Sequence, residues 1–153
     1  MRILSSLATA IFLVSCSLVS TNSGPSQFSL WAAEATPANW ELGTSWVLVL
    51  IDEDGRIESR RDIQFTDSPA STCSGGDWYR IDVLSPQSAF ERRMSSPAYQ
   101  LEGSALMIDL NARVCDANRE LVGKLTSKGA AGSMRMTDPF GSEDAGSFIV
   151  VPR

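Results

Sequence analysis

The chain contains few of the side chains that carry out acid–base or nucleophilic catalysis. It has no histidine among its 153 residues, and histidine is the commonest general base near neutral pH. Ser-His-Asp and Cys-His arrangements are therefore excluded. Carboxylates remain, and Asp52, Asp54 and Glu58 are candidates for the acid and base of a glycan hydrolase. Because no pattern brings two of them to one cleft, we predict a protein that is not an enzyme, with a carboxylate-dependent hydrolase as the alternative.

The acidic run Asp52-Glu53-Asp54-Gly55 also suggests a calcium loop. Its spacing is wrong for an EF-hand, because Arg56 stands where the fifth ligand belongs and Ile63 where the closing glutamate belongs. The same four residues are typical of a hairpin turn. The chain also lacks a glycine-rich phosphate loop followed by lysine. We therefore predict no metal site and no cofactor.

Two adjacent aromatic residues are the weak candidates for ligand binding. Trp78 and Tyr79 follow a loop that contains Cys73 and two glycines. Their flat amphipathic rings suit a sugar or a protein surface. The alternative is structural: the glycines form a turn, and strand alternation directs one of the two rings into the core.

The elements that would position these residues are predicted to be β-strands. Branched and aromatic residues alternate with polar ones in runs that turn residues separate. The runs cover residues 45–51, 56–65, 77–84, 99–101, 105–111, 120–126, 131–137 and 146–151. This rhythm predicts an all-β domain, an eight-stranded antiparallel meander barrel, with a β-sandwich as the alternative. A barrel of eight strands has room inside for side chains or for one small ligand.

One segment departs from the strand pattern and predicts a short helix. Ser85 is a suitable N-cap and Pro86 a suitable first helical residue. Phe90 and Met94 then share one helix face, and Pro97 ends the segment. We expect this helix to plug one end of the barrel.

The last third of the chain is rich in glycine. Glycines occur in Leu121-Val122-Gly123-Lys124-Leu125, in Gly129-Ala130-Ala131-Gly132 and in residues 141–148. With the strand rhythm, this part of the chain resembles small calycin-like and lipocalin-like β-barrel lipoproteins of bacteria, and the resemblance implies a barrel fold. The Gly-x-Trp motif of lipocalins is not matched, because two residues separate Gly43 from Trp46. No functional residue is therefore carried over.

The N-terminus resembles a bacterial lipoprotein signal peptide. Arg2 precedes an uncharged, mostly apolar run over residues 3–14. The run is too short to span a bilayer but suits the core of a signal peptide. It ends in Leu13-Val14-Ser15-Cys16, which is similar to a lipobox with leucine three residues before the cysteine and a small residue directly before it.

The lipobox resemblance implies a location. Residues 1–15 would be removed as a signal peptide, and Cys16 would carry the lipid. Ser17, rather than aspartate, follows the cysteine, which favours an outer-membrane anchor facing the periplasm over the inner membrane. Ordinary cleavage near Ser17 or Ser20, which would release a soluble protein, is the alternative.

The same resemblance implies different roles for the three cysteines. With Cys16 lipidated, Cys73 and Cys115 remain, and an even remainder in an oxidising compartment suggests one disulfide. Residues 16–38 are predicted to be the lipidated N-terminus and a flexible tether, because polar and chain-breaking residues predominate there. Residues 39–153 are predicted to form a single β-barrel domain. In the tether, we expect the apolar side chains to dock on the domain or to lie at lipid headgroups, namely Phe28, Leu30 and Trp31.

The charge of the chain limits its partners. The net charge is −5, and removal of residues 1–15 takes away Arg2 and no acidic residue, which leaves −6. An acidic domain repels phosphate backbones, so we expect no nucleic acid partner. We predict a non-enzymatic, lipid-anchored cell-envelope protein, a binding or structural module. Its predicted partners are the membrane, through the lipid, and an envelope protein, a glycan or a small apolar ligand.

Overall fold

Eight strands form one closed barrel in this protein. A computed structural model describes residues 26–37, 40–85 and 96–153. The elements within these residues are α1 (Gln27–Ala32), β1 (Ser45–Ile51), β2 (Ile57–Pro69), β3 (Tyr79–Val83), β4 (Ala98–Glu102), β5 (Ala105–Asp109), β6 (Asn118–Thr126), β7 (Gly129–Asp138) and β8 (Gly141–Pro152). Each strand pairs antiparallel with the next, and β8 pairs back with β1. The predicted eight-stranded meander barrel is confirmed.

Strand alternation fills the barrel with apolar side chains. On β1, Trp46, Leu48 and Leu50 are at most 2 % exposed and belong to the core cluster. The other strands add alternate residues to the same cluster, namely Ile63, Phe65, Ile81, Tyr99, Leu106, Ile108, Leu121, Leu125, Met134, Phe148 and Val150. Burial of each such aliphatic or phenylalanine side chain contributes about 1.5–3 kcal/mol. The interior is therefore a packed core through most of its length.

A glycine on β6 makes room for Phe148 inside the barrel. Gly123 lies opposite Gly132 on β7, which in turn lies opposite Phe148 on β8. A Cβ atom on Gly123 would stand 2.7 Å from the Phe148 ring, well inside van der Waals contact distance. Glycine at this position therefore serves close packing.

A second, smaller apolar cluster lies outside the barrel and is closed by a disulfide. Trp78, Ala98 and Ala112 are buried together there, and we call them the outer cluster. Cys73 and Cys115 are bonded, as predicted, and join loop 70–78 to loop 110–117 across a sequence separation of 42. The Cys73 amide also donates to the Ala112 carbonyl oxygen at 2.9 Å. The bridge thus fixes two loops against each other.

Part of the predicted tether packs against the barrel. The Ser26 side chain caps α1 by accepting from the Ser29 amide. At the end of the helix, the Trp31 carbonyl oxygen accepts from the Ser104 amide and hydroxyl, each at 3.0 Å. Lys124 Nζ lies 2.7 Å from Glu34 Oε1, and this hydrogen bond lowers the pKa of Glu34 below its usual value. Residues 26–37 therefore belong with the folded unit, ahead of the boundary that the sequence predicts at residue 39.

Some predicted features lie outside the described residues. These are the signal peptide, Cys16 and the predicted helix from Pro86 onward. The short helix that is described is α1, in a segment for which the sequence predicts a tether. The strand bounds also differ, because β2 continues to Pro69 and β8 begins already at Gly141.

Candidate ligand-binding site at the barrel mouth

A cavity of about 610 Å³ opens at one end of the barrel. The β1–β2, β5–β6 and β7–β8 connections lie at this end. The cavity is lined by strand residues next to the first connection, such as Leu50 and Glu58, and by residues of the other two, such as Ala117 and Phe140. We call this cavity the mouth pocket. Its floor is the buried side chain of Leu50 on β1, so the pocket lies directly above the packed interior. Mouths of β-barrels are common positions for ligand sites.

The β7–β8 hairpin forms an apolar wall of the mouth pocket. Met136 and Phe140 both line the cavity, and Phe140 is 97 % exposed at the tip. Residues 138–144 are rich in residues that favour turns, but the strands pair as far as Asp138 and Gly141. Asp138 Oδ1 accepts from the Phe140 and Gly141 amides at 2.8 and 3.0 Å. This tight turn lets the strands extend past the core and stand beside the opening.

An ion pair joins opposite walls of the mouth pocket. Arg119 Nη1 lies 2.7 Å from Glu58 Oε1. The two residues belong to β6 and β2, which lie four strands apart in the closed ring of eight. Both side chains are partly exposed, so the pair contributes at most about 1 kcal/mol to stability. The position of this ion pair is more important than its contribution to stability, because the pair crosses the opening of the mouth pocket.

Glu58 reaches the mouth pocket because of a β-bulge. The register shifts between Leu50 and Ile51 of β1, which face Ser59 and Ile57 of β2. Glu58 is therefore the extra residue on β2, and bulges of this kind re-aim a side chain. Alternation counted from the inward-facing Ile63 would place Glu58 on the outer face. The sequence carries no signal that predicts this bulge.

Two buried polar atoms in the mouth pocket have no hydrogen-bond partner among the described residues. They are the Ser59 hydroxyl oxygen and the Asn118 carbonyl oxygen Oδ1. Buried polar atoms are nearly always paired with protein or with water. The buried guanidinium of Arg61 lines the same cavity, and its Nη1 donates to the Arg60 carbonyl oxygen at 3.0 Å. The inner part of the pocket is thus polar, whereas its floor and hairpin wall are apolar.

The predicted hydrolase carboxylates do not converge. Asp52 accepts from the Arg56 amide at 2.8 Å, and Asp54 pairs with the Arg56 side chain at 2.7 Å. These contacts belong to the β1–β2 turn, as the hairpin interpretation of the acidic run predicts. Among the described residues, only Glu58 of the three predicted carboxylates lines the mouth pocket.

The two predicted aromatic candidates are separated by strand alternation. Trp78 is buried in the outer cluster, and its indole N–H donates to the Gly75 carbonyl oxygen at 3.0 Å. Tyr79 is 37 % exposed, and its ring centroid lies 5.8 Å from that of Tyr99. Neither residue lines the mouth pocket. Tyr79 keeps a face that a ligand can reach at the other end of the barrel, whereas the Trp78 ring serves packing.

No protein-family model, no curated protein and no solved structure matches this chain. Within residues 26–37, 40–85 and 96–153, no helix is both long and apolar enough to cross a membrane. The same residues contain no group of three or more acidic, cysteine or histidine side chains arranged to hold a metal ion.

Proposed function

We propose that the protein is a lipid-anchored module of the bacterial cell envelope whose barrel binds a small amphipathic ligand in the mouth pocket, without catalysing a reaction. The observation that carries the proposal is the cavity of about 610 Å³ above a filled core. This volume lies within the range of about 300–1,000 Å³ that is usual for small-molecule sites.

The lining of the mouth pocket supports an amphipathic ligand. Leu50, Met136 and Phe140 offer apolar surface to the apolar part of the ligand. The Ser59 hydroxyl and Asn118 Oδ1, buried and without partners among the described residues, offer hydrogen bonds to a polar group. A wholly apolar ligand would leave these two atoms unpaired, which costs about 1–3 kcal/mol for each buried group.

The envelope location rests on the lipobox resemblance of residues 13–16. The docked segment 26–37 contacts the β4–β5 turn at Gly103 and Ser104. This turn lies at the end of the barrel opposite the mouth pocket. An anchor on the N-terminal side of the segment would therefore attach at that end and leave the mouth pocket accessible from the periplasm.

Fluorescence titration of the full-length chain with the amphipathic dye anilinonaphthalene sulfonate tests the pocket. We expect saturable binding of one dye molecule. Ala117→Trp, at an exposed position that lines the cavity, should fill the pocket and abolish binding. Ala35→Trp, on the docked segment at the opposite end, is the matched control and should bind as the wild type does. Equal binding by Ala117→Trp and wild type contradicts the proposal.

A purely structural barrel is the second candidate function. It is favoured by the packed interior, which the side chains of the core cluster fill. In that case the dye would not bind saturably to the wild type, and Ala117→Trp would change nothing. The same titration therefore separates the two functions.

A further inference from the structure

A second cavity, of about 460 Å³, lies at the end of the barrel opposite the mouth pocket. It is lined by Trp40, Leu42, Asp67, Tyr79, Tyr99 and Leu101, and we call it the aromatic cleft. Three of its six residues are aromatic, one is acidic and none is basic. This chemistry differs from that of the mouth pocket, so the inference does not depend on the function proposed above.

The aromatic rings of the cleft are held in place by the barrel core. The Trp40 ring centroid lies 4.4 Å from that of Phe65 and 5.1 Å from that of Trp46. Tyr99 is fixed by its hydroxyl, which donates to the Thr66 carbonyl oxygen at 2.9 Å. The Tyr79 ring packs beside it and remains 37 % exposed. The cleft therefore offers preformed π-faces rather than mobile side chains.

The charge of the aromatic cleft is negative. Asp67 is exposed there and has no ion-pair partner among the described residues. The nearby cation on β3, Arg80, pairs instead with Asp82 at 2.9 Å. Burial raises the pKa of Tyr99 to about 12, with smaller contributions from Tyr79 and Asp67. The charge of Asp67 is thus close enough to Tyr99 to raise the pKa of its phenol, which stays neutral.

We propose that the aromatic cleft binds a small organic ammonium ion, with its alkyl groups against the rings of Trp40 and Tyr79 and its charge balanced by Asp67. Aromatic faces attract cations through the ring quadrupole, and quaternary ammonium groups are typical occupants of such sites. An anion would be repelled by Asp67. A sugar needs several polar partners, and the Tyr99 hydroxyl is already engaged.

Titration of the full-length chain with choline, followed by tryptophan fluorescence, tests the site. Dimethylbutanol, in which a tert-butyl group replaces the trimethylammonium group, is the uncharged control ligand. We expect saturable choline binding in the millimolar range and at least about ten-fold weaker binding of dimethylbutanol. Equal affinity for the two ligands, or no saturation by choline, overturns the proposal.

Variants identify the residues that carry the choline affinity. Asp67→Asn and Tyr79→Leu should each weaken binding by about five-fold or more, because they remove the carboxylate and one ring. Asp54→Asn, at an exposed carboxylate in the β1–β2 turn, is the matched control and should bind as the wild type does. Unchanged affinity of Asp67→Asn, with the fold verified by circular dichroism, contradicts the site.

Phosphatidylcholine vesicles distinguish a headgroup from a free cation as the source of the ammonium group. If wild type sediments with these vesicles more than Asp67→Asn does, and choline competes, the group comes from the bilayer. If the two proteins sediment equally while choline still binds, the occupant is a free solute. Both results require the saturable choline binding described above.

Discussion

Asp109 is a carboxylate buried on the outer face of the barrel. It is 2 % exposed and lies opposite Ala98 on β4 and Glu120 on β6. Burial raises the pKa of Asp109, although the Asn111 amide, which donates to it at 2.8 Å, partly opposes this. Burial also raises the pKa of Glu120, helped by Asp109 and opposed by Arg135. Two neighbouring carboxylates therefore bind protons more tightly in the folded chain than in the unfolded chain.

These raised pKa values predict that the fold weakens as the pH rises. An acid whose pKa is raised on folding stabilises the folded state below its unfolded pKa, and that stabilisation is lost as the pH rises through the folded value. Asp109→Asn removes the charge but keeps an oxygen for the Asn111 amide. We expect this variant to melt at a higher temperature than wild type at about pH 7 and to lose less stability between about pH 4 and pH 7.

Thermal melts across this pH range measure the Asp109 effect. Asp116→Asn, at an exposed carboxylate in the nearby loop, is the matched control and should follow the wild-type profile. An Asp109→Asn profile parallel to that of wild type would show that burial of this carboxylate does not govern the pH dependence.

At the scale of elements, β6, β7 and β8 depend on glycine to pack closely. Gly123→Ala would bring a Cβ atom to 2.7 Å from the Phe148 ring, with the Ala131 backbone also too close. Overpacking of this kind costs about 1–3 kcal/mol. Urea unfolding should show this loss. Gly75→Ala is the control, because nothing lies within 4 Å of its Cβ position, and a comparable loss there would refute the packing explanation.

The disulfide ties loop 70–78 to the loop that leads into the mouth pocket. The double variant Cys73→Ser/Cys115→Ser opens a link across 42 residues of sequence separation, which lowers the free energy of unfolding by about 3–4 kcal/mol in the chain-entropy model. Because Ala117 and Asn118 line the mouth pocket, dye affinity should fall as well. Urea unfolding measures the difference in stability. Equal free energies of unfolding for the oxidised wild type and the double variant would count against this role.

The sequence predicts elements that have a strong alternating pattern. It misses features that depend on a β-bulge or on the pairing of polar strand residues. β1 was predictable to the residue, because its apolar run ends at an acidic turn. The polar residues Ser142 to Asp144 hide the first part of β8, which is held by pairing with β7 rather than by burial. Alternation also cannot reveal the bulge that turns Glu58 toward Arg119. The mouth pocket was therefore not predictable, whereas the disulfide and the split between Trp78 and Tyr79 were.

For the whole molecule, the proposed lipid anchor would determine how the two cavities are oriented relative to the membrane. Cys16 lies outside the described residues, so its lipid remains a prediction from the lipobox resemblance. Cys16→Ser should move the full-length protein from the membrane fraction to the soluble fraction of a bacterial expression host. Cys73→Ser/Cys115→Ser, which removes cysteines without touching the lipobox, should stay with the membrane. Unchanged partition of Cys16→Ser would exclude the lipid as the anchor.

The pairing of β1 with β8 has a consequence for how the chain reaches its folded state. Trp46 lies opposite Pro152, and the Arg153 amide donates to the Ser45 carbonyl oxygen at 3.1 Å. The contact that closes the ring thus joins the first strand to the last, and such distant pairings form slowly. A chain still emerging from the ribosome has no β8 to complete the ring. Closure of the barrel must therefore wait until β8 has left the ribosome, and until then the ladder edge of β1 that pairs with β8 has no partner.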